Sequence, residues 1–343
     1  MAVLSVTILS VFALDIDYSL SGEYTDNVWH LSDYDLDRLE KGSTSLAFAE
    51  TADDLIINSD VKISDEYKFS KKFKVIPSAK LAYTMYTNNE EKSRGSVFGG
   101  IDFAYRPYTL GLKYGFYPDN YLRDYRDSSN QLYGGTGEYE KFVYDKNLYK
   151  ADLSWQALKK HRFSGSFKYE EYRHNEFFTE YDSNAMTFEL GWRGSFPGLY
   201  LLCSYAYREY NTIDEIADLY VGDFDPDDIP SDSSYEGNLY SISFMMKKIK
   251  TENKSLSYRP VLDVNVEKRF YQGSDEYHAH REDTTIDISP SVSLYIGKNI
   301  DITLDYSYLN RTVESPYTSV SKYKDYSATS VSLSFSYRYD LFE

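Results

Sequence analysis

From Ile16 to the last residues of the chain, apolar and polar side chains alternate almost one by one. A period of two marks β-strands whose two faces meet different surroundings. Ile300, Ile302, Leu304, Tyr306 and Tyr308 make one face of such a strand, and Asp301, Thr303, Asp305 and Ser307 make the other. The closing stretch repeats the pattern, with Val331, Leu333, Phe335, Tyr337 and Tyr339 against Ser332, Ser334, Ser336, Arg338 and Asp340. Ile286, Ile288, Pro290, Val292, Leu294 and Ile296 stand against Asp287, Ser289, Ser291 and Ser293. The stretches 73–85, 97–105, 108–116, 149–157, 163–169, 186–192, 201–207, 240–246 and 262–270 behave alike, and 15–24 and roughly 53–63 complete the set. No stretch keeps a helical period. The expectation is an all-β chain of about 14 strands.

The links between the strands decide the architecture. Short links fall at Arg106-Pro107, Lys159–His161, Ser195–Gly198, Gly297–Asn299 and around Lys248–Ser257. Long polar links fall at about 25–45, 118–138, 172–183, 211–237, 272–283 and 310–327, with a shorter one at 88–95. Short and long alternate. Soluble sandwiches and propellers also bury one face of each strand, but they have no reason to keep that rule. A single antiparallel transmembrane β-barrel does, with short periplasmic turns and long extracellular loops.

Composition narrows the classes further. Among the 343 residues are 37 Tyr, 19 Phe and 3 Trp, and the net charge is -17. No run of roughly 18 apolar residues exists, which excludes a multi-spanning helical membrane protein. The acidic balance argues against nucleic acid as a partner, because phosphate binding needs a cationic surface. The single cysteine, Cys203, excludes a disulfide framework and a cysteine-based zinc site. Met1–Ala13 reads as a signal peptide: an apolar run too short to span a membrane, ending Val-Phe-Ala. That leaves 14–343 for the barrel, with no globular segment ahead of it to act as a plug, as an energised siderophore transporter needs. Tyr105, Tyr108, Tyr114, Tyr205, Tyr207, Tyr306, Tyr308, Tyr337 and Tyr339 sit near strand ends. A tyrosine there keeps its ring in lipid and its hydroxyl among headgroups, which builds aromatic girdles.

The chain thus resembles bacterial outer-membrane β-barrels. Its closing strand, 334–342, looks like the C-terminal aromatic strand that barrel assembly machinery recognises. It departs from that pattern in one respect: Glu343 follows Phe342, which is out of phase with Tyr337 and Tyr339. Arg281-Glu282-Asp283 followed by two strands, Tyr326 and a final Tyr-Arg-Tyr is similar to β-barrel porins associated with polysaccharide export. The resemblance implies a Gram-negative outer membrane, with its lipid and lipopolysaccharide as surroundings. It implies no catalytic residues and no cofactor.

The polar faces are expected to line a lumen. The candidates are Lys80, Asp102, Arg106, Lys113, Asp152, Lys168, Glu189, Arg193, Arg208, Asp263, Glu267, Arg269, Asp287, Asp301, Asp305 and Arg338. Opposite charges on neighbouring strands stabilise the wall and keep it wet. Eight strands fill their interior with side chains, and 16–18 leave a channel; 14 lies nearer the channel. The serine runs at 289–293 and 332–336 leave room rather than fill it. Passage of hydrophilic solutes or glycans is the expected function, passive or gated, with weak cation preference from the acidic excess. The alternatives are a polysaccharide-export or surface-assembly barrel working with periplasmic partners, and a structural or adhesive surface barrel.

Other constellations are weaker. The acidic loop 211–237 begins like a calcium loop at Asp223-Phe224-Asp225, but Asp228 replaces the turn glycine and Ser234 the bidentate glutamate. The same loop is long enough to fold over the mouth. His278 and His280 lack an indicated third metal ligand. His174 lies near Glu170, Glu171, Glu176 and Asp182, and His30 near Asp33 and Asp35, yet no motif places either as a base. Cys203 falls on the apolar face. The chain is expected not to be an enzyme.

Overall fold

The computed structural model describes residues 14–126, 139–212, 232–252, 255–274 and 277–340. The signal-peptide stretch, most of the acidic loop and the last three residues lie outside them. Fourteen long strands follow in chain order. They are β1 (Asp15–Thr25), β2 (Asp54–Ser64), β3 (Phe73–Tyr86), β4 (Arg94–Tyr105), β5 (Tyr108–Arg126), β6 (Tyr139–Leu158) and β7 (His161–His174). Then come β8 (Ser183–Phe196), β9 (Leu199–Thr212), β10 (Tyr235–Met246), β11 (Leu256–Tyr271), β12 (Glu282–Ile296), β13 (Ile300–Glu314) and β14 (Tyr326–Asp340). Each pairs antiparallel with its chain neighbour, and β1 pairs with β14 from Asp15↔Asp340 to Thr25↔Ser330. The sheet is therefore closed and has no free edge, which is what allows strands to cross a bilayer. Fourteen strands about 4.8 Å apart and tilted about 40° enclose a backbone cylinder roughly 28 Å across.

The alternation of the sequence becomes an outside and an inside. Leu20, Val61, Leu81, Val97, Leu110, Leu153, Phe188, Leu190, Ile242, Leu304 and Leu333 all point outward and are exposed, Leu190 at 70%. No helix among the described residues is long and apolar enough to cross a membrane; the strands carry the apolar surface. Aromatic rows bound it. Tyr105, Tyr108, Trp155, Phe163 and Trp192 are cross-strand neighbours from β4 to β8 near the short turns. Tyr114, Tyr149 and Tyr169 form a second row nearer the long loops. From Tyr108 to Tyr114 the strand covers about 20 Å at ~3.4 Å per residue, or about 16 Å along the barrel axis at a tilt of about 40°.

The short turns need few residues because consecutive strands are antiparallel neighbours. Gly198 and Gly297 take φ of +77° and +65° at two of them, a conformation that costs a glycine nothing. The opposite end is different. Two short helices stand there, α1 (Asp33–Glu40) and α2 (Thr318–Lys324), where the sequence shows no helical period. Both are too short for a period to register. Helix α1 is instead specified locally: Ser32 accepts a hydrogen bond from the Asp35 amide at 3.2 Å, and Arg38 pairs with Asp35 at 3.0 Å.

The hydrophobic core of the protein lies at this end, made largely by the link between β1 and β2. Val28, Trp29, Leu31, Leu46 and Ala49 from that link pack on Ile56, Tyr86 and Tyr121, with Leu36, Leu39, Phe48 and Val143 around them. Ile56 and Tyr86 belong to the inner faces of β2 and β3, so the link folds into the barrel mouth. Two register shifts between β5 and β6, beginning next to Pro118, help to receive it. They leave consecutive residues Asn120 and Tyr121 both buried.

Candidate functional site

The inner wall carries charges in ordered rows. Lys113, Lys150 and Lys168 stand side by side on β5, β6 and β7; Thr187 on β8 continues the row to Arg208 on β9, and Gly237 on β10 to Arg269 on β11. Two residues nearer the turns runs a second row: Asp102, Gly111, Asp152, Ser166, Glu189, Ala206, Leu239 and Glu267. Because the strands tilt, rows along the hydrogen-bond direction climb. Six strand steps at about 40° rise on the order of 18 Å, from near the turn end at Lys113 to near the mouth at Arg269.

The rows neutralise each other locally. Asp152 takes Lys113 at 3.2 Å and Lys150 at 2.9 Å. Arg269 chelates Glu267, with the closest pair at 2.8 Å. Lys80 reaches Asp60 at 3.3 Å, and Arg338 reaches Asp17 at 2.7 Å. Glu189 accepts from the Ser166 hydroxyl at 3.4 Å, and the Arg193 guanidinium lies 4.5 Å from the Tyr200 ring centre.

A second wall, β11 to β14 with β1, is built differently. Glu23 and Asp305 flank Ser332 in one row, and Asp263 faces Ser289. Asp287 takes the hydroxyls of Ser289 and Ser307 at 2.8 and 2.9 Å and the Asn265 amide at 3.3 Å. Asp263, Asp287, Asp301, Asp305 and Glu23 have no cation at ion-pair distance among the described residues. Ser289, Ser291, Ser293, Ser332, Ser334 and Ser336 are none of them buried.

Fifteen of the sixteen expected lumen residues thus stand on this inner face. Arg106 does not. It is exposed in the two-residue turn between β4 and β5, where the alternation that would assign it a face has ended.

Above the rows lies a rim belt that the sequence pattern marks only in part, at Lys168, Arg208 and Arg269. Glu170, its side chain 5% exposed, holds Lys146 at 3.4 Å, Lys168 at 3.0 Å and Arg208 at 3.3 Å. Rings of Tyr144, Tyr172, Tyr210, Tyr235 and Tyr271 follow one another at centroid distances of 5.1 to 5.7 Å. Arg269 lies over Tyr235 and Arg281 over Tyr271. Asp283, 1% exposed, is gripped by two of the Arg281 nitrogens, Nε and Nη2, at 2.9 and 2.8 Å and by Arg311. Lys146, Arg311 and Asp283 fall beyond the stretches where apolar and polar residues alternate. The hydrogen-bonded strands continue past the apolar band, so the hydropathy signal stops before the strand does.

The mouth itself gathers cations. Lys92 lies 4.1 Å from the Trp29 ring centre, and Arg123 lies over Phe48 at 5.7 Å. Burial first, then the charges of Arg94 and Arg123, hold the Lys92 ammonium down to about 8. Burial and the charges of Arg123, Arg281 and Arg311 do the same to Lys324, also to about 8. His30 stacks flat on Tyr326 at 4.7 Å. It is exposed, yet crowding by protein, then Lys92 and Arg311, hold its imidazole down to about 4.

The remaining residues singled out by sequence take ordinary places. His174 is packed by Phe142, Tyr144 and Tyr181, with Nδ1 at 3.2 Å from Asp182. His278 is buried against Tyr271. Cys203 lies on the outer face between Trp192 and Ile242.

No protein-family model matches the chain, and no curated protein matches it. Among solved structures it is similar to a bacterial polysaccharide outer membrane secretin, at 8% identity and a TM-score of 0.47 over 94% of this chain and 98% of that one. It is similar to a loop L8 deletion mutant of OmpT, an outer membrane protein of Vibrio cholerae, at 8% identity and 0.47 over 96% and 100%. It is also similar to OccAB3 of Acinetobacter baumannii, at 10% identity and 0.42 over 95% and 99%. Likeness this distant passes no solute, partner or activity to this chain.

Proposed function

We propose that this chain is a non-enzymatic outer-membrane channel through which hydrophilic solutes pass, with the loop between β1 and β2 narrowing its outer mouth. Lipid and lipopolysaccharide surround it, and barrel assembly machinery inserts it. The observation that carries this reading is the inner wall of the turn-side half. Its serines and its carboxylates without a cation partner are accessible, and such groups are left without an ion pair only in contact with water. A barrel built as a solid surface scaffold would pack that space with side chains, as small barrels do. Liposome swelling tests the reading. Refolded protein should admit small neutral sugars and exclude larger oligosaccharides at a sharp size limit. Swelling no faster than in empty liposomes, with the protein inserted and folded, would contradict it.

A further inference from the structure

Six cations converge on the mouth from around its circumference. Lys92 comes from the link between β3 and β4, Arg94 from β4, Arg123 from β5, Arg281 from the link before β12, Arg311 from β13 and Lys324 from α2. They form two overlapping groups joined by Arg123: Arg94 and Arg123 bear on Lys92, while Arg123, Arg281 and Arg311 bear on Lys324. His30, in turn, is within reach of both Lys92 and Arg311. Glu23 lies with Arg94 near Tyr86 and Glu267 with Arg311 near Tyr326, while the carboxylates that bear on Lys92 and Lys324 themselves are Asp54 and Asp283.

Neither carboxylate balances the group. Asp54 is committed to the backbone amides of Thr87, Asn88 and Asn89 and to the Asn89 side chain. Asp283 is shared by Arg281 and Arg311. Lys92, Arg94, Arg123 and Lys324 have no carboxylate at ion-pair distance among the described residues. The Nε atoms of Arg123 and Arg311 are buried without a hydrogen-bond partner there. Placing like charges together out of bulk water is costly unless something answers them. Of the other acids of the region, Asp35 pairs with Arg38 and Glu91 with Lys141, whereas Asp124 and Asp325 accept from neutral donors, the Tyr121 hydroxyl and the Val313 amide. The basic row of the inner wall then leads from Arg269, beside this group, down to Lys113.

We infer that the mouth is an oxyanion-binding site, and that the solute carries carboxylate, sulfate or phosphate groups which Arg123, Lys92 and Lys324 capture and the basic row receives. This rests on the channel reading and names the class of solute for it. The chain's overall acidity leads to an expectation of weak cation preference; the placement of the charges reverses it. What matters to a passing ion is the local field of the constriction, not the sum over the chain.

The test uses Trp29, which touches Lys92. Trp155 and Trp192 are the other tryptophans and face outward, so Trp155→Phe with Trp192→Phe leaves one reporter. Inorganic sulfate, whose charge does not change with pH here, is titrated into the refolded full chain. A saturable change in emission is expected, with affinity weakened about tenfold or more by Arg123→Gln with Lys324→Gln. A linear or absent response, or a double variant that titrates like its parent, overturns the site. If that double variant does not refold, Lys92→Gln alone carries the test, with a loss of severalfold expected and no loss overturning it. A sulfated oligosaccharide in place of sulfate separates the sources: tighter binding per sulfate group assigns the site to glycans, and equal binding to small anions. Reversal potentials in a salt gradient complete it. Saturable binding without conduction keeps the site and overturns the channel. Conduction with cation preference and no saturable binding overturns the site and keeps the channel.

Discussion

The two ends of this barrel are stabilised in different ways. At the loop end, the link between β1 and β2 brings a hydrophobic core into the mouth, and tyrosines, arginines and buried carboxylates form a belt around it. At the turn end the inner wall is serine, glycine and water-facing charge, and stability there must come from the strand ladder and the lipid-facing side chains outside. Among the described residues, nearly all buried side chains belong to the loop end. The contrast teaches that a closed ladder needs no central core to persist. An interior can be packed at one end and left open at the other.

The comparison is broken most strongly at Glu170. Glu170→Gln leaves Lys146, Lys168 and Arg208 around a neutral side chain that is almost fully buried. Removing one partner of a buried ionic cluster costs about 3–5 kcal/mol. Urea unfolding in lipid vesicles should show a loss of that order, whereas Asp263→Asn on the other wall should cost little. Next comes Trp29→Ala, which removes the centre of the mouth core and costs about 3–5 kcal/mol of local packing. The loop should leave the mouth, so unit conductance should rise while the barrel itself, read by its heat-modifiable mobility on gels, stays folded. At the turn end the signs reverse. Ser334→Leu should lower conductance by adding bulk to the lumen, with a stability change within about 1 kcal/mol because the wall there is open. The smallest effect is in pH. Lys92 and Lys324, held near 8, lose protons before an unfolded lysine does, near 10.4. The unfolded chain binds more protons between those values, so stability rises with pH across that window. Sulfate affinity should fall over the same window as the mouth loses charge. His30, held near 4, works at the acid end: stability should fall as pH drops from about 6.5 toward 4.

Much of this was legible in the sequence because the bilayer enforces it. Strands such as β12, β13 and β14 read clearly, since every second residue must suit lipid. The alternation of link lengths follows from antiparallel neighbours and one-sided loops. What escaped the pattern lies beyond the apolar band. Lys146, Asp283 and Arg311 sit on strand extensions where neither face is lipid-facing, so no periodicity announces them. The helix Asp33–Glu40 and the inward fold of its link were hidden for a related reason: Trp29, Leu31, Leu46 and Ala49 are scattered along an irregular segment. Their only local signs are a serine cap and a first turn rich in aspartate. Arg106 was misplaced because alternation says nothing about a turn. The expected cation preference rests on a total over the chain, which does not see which charges are already paired.

A channel of the proposed kind requires a water-filled path through the barrel. Single-channel conductance of the refolded full chain in a planar bilayer measures that path directly. Stable, resolvable current steps, larger in Trp29→Ala than in the parent, are the expected result. Protein that inserts and folds, yet passes no current in either form, would contradict it.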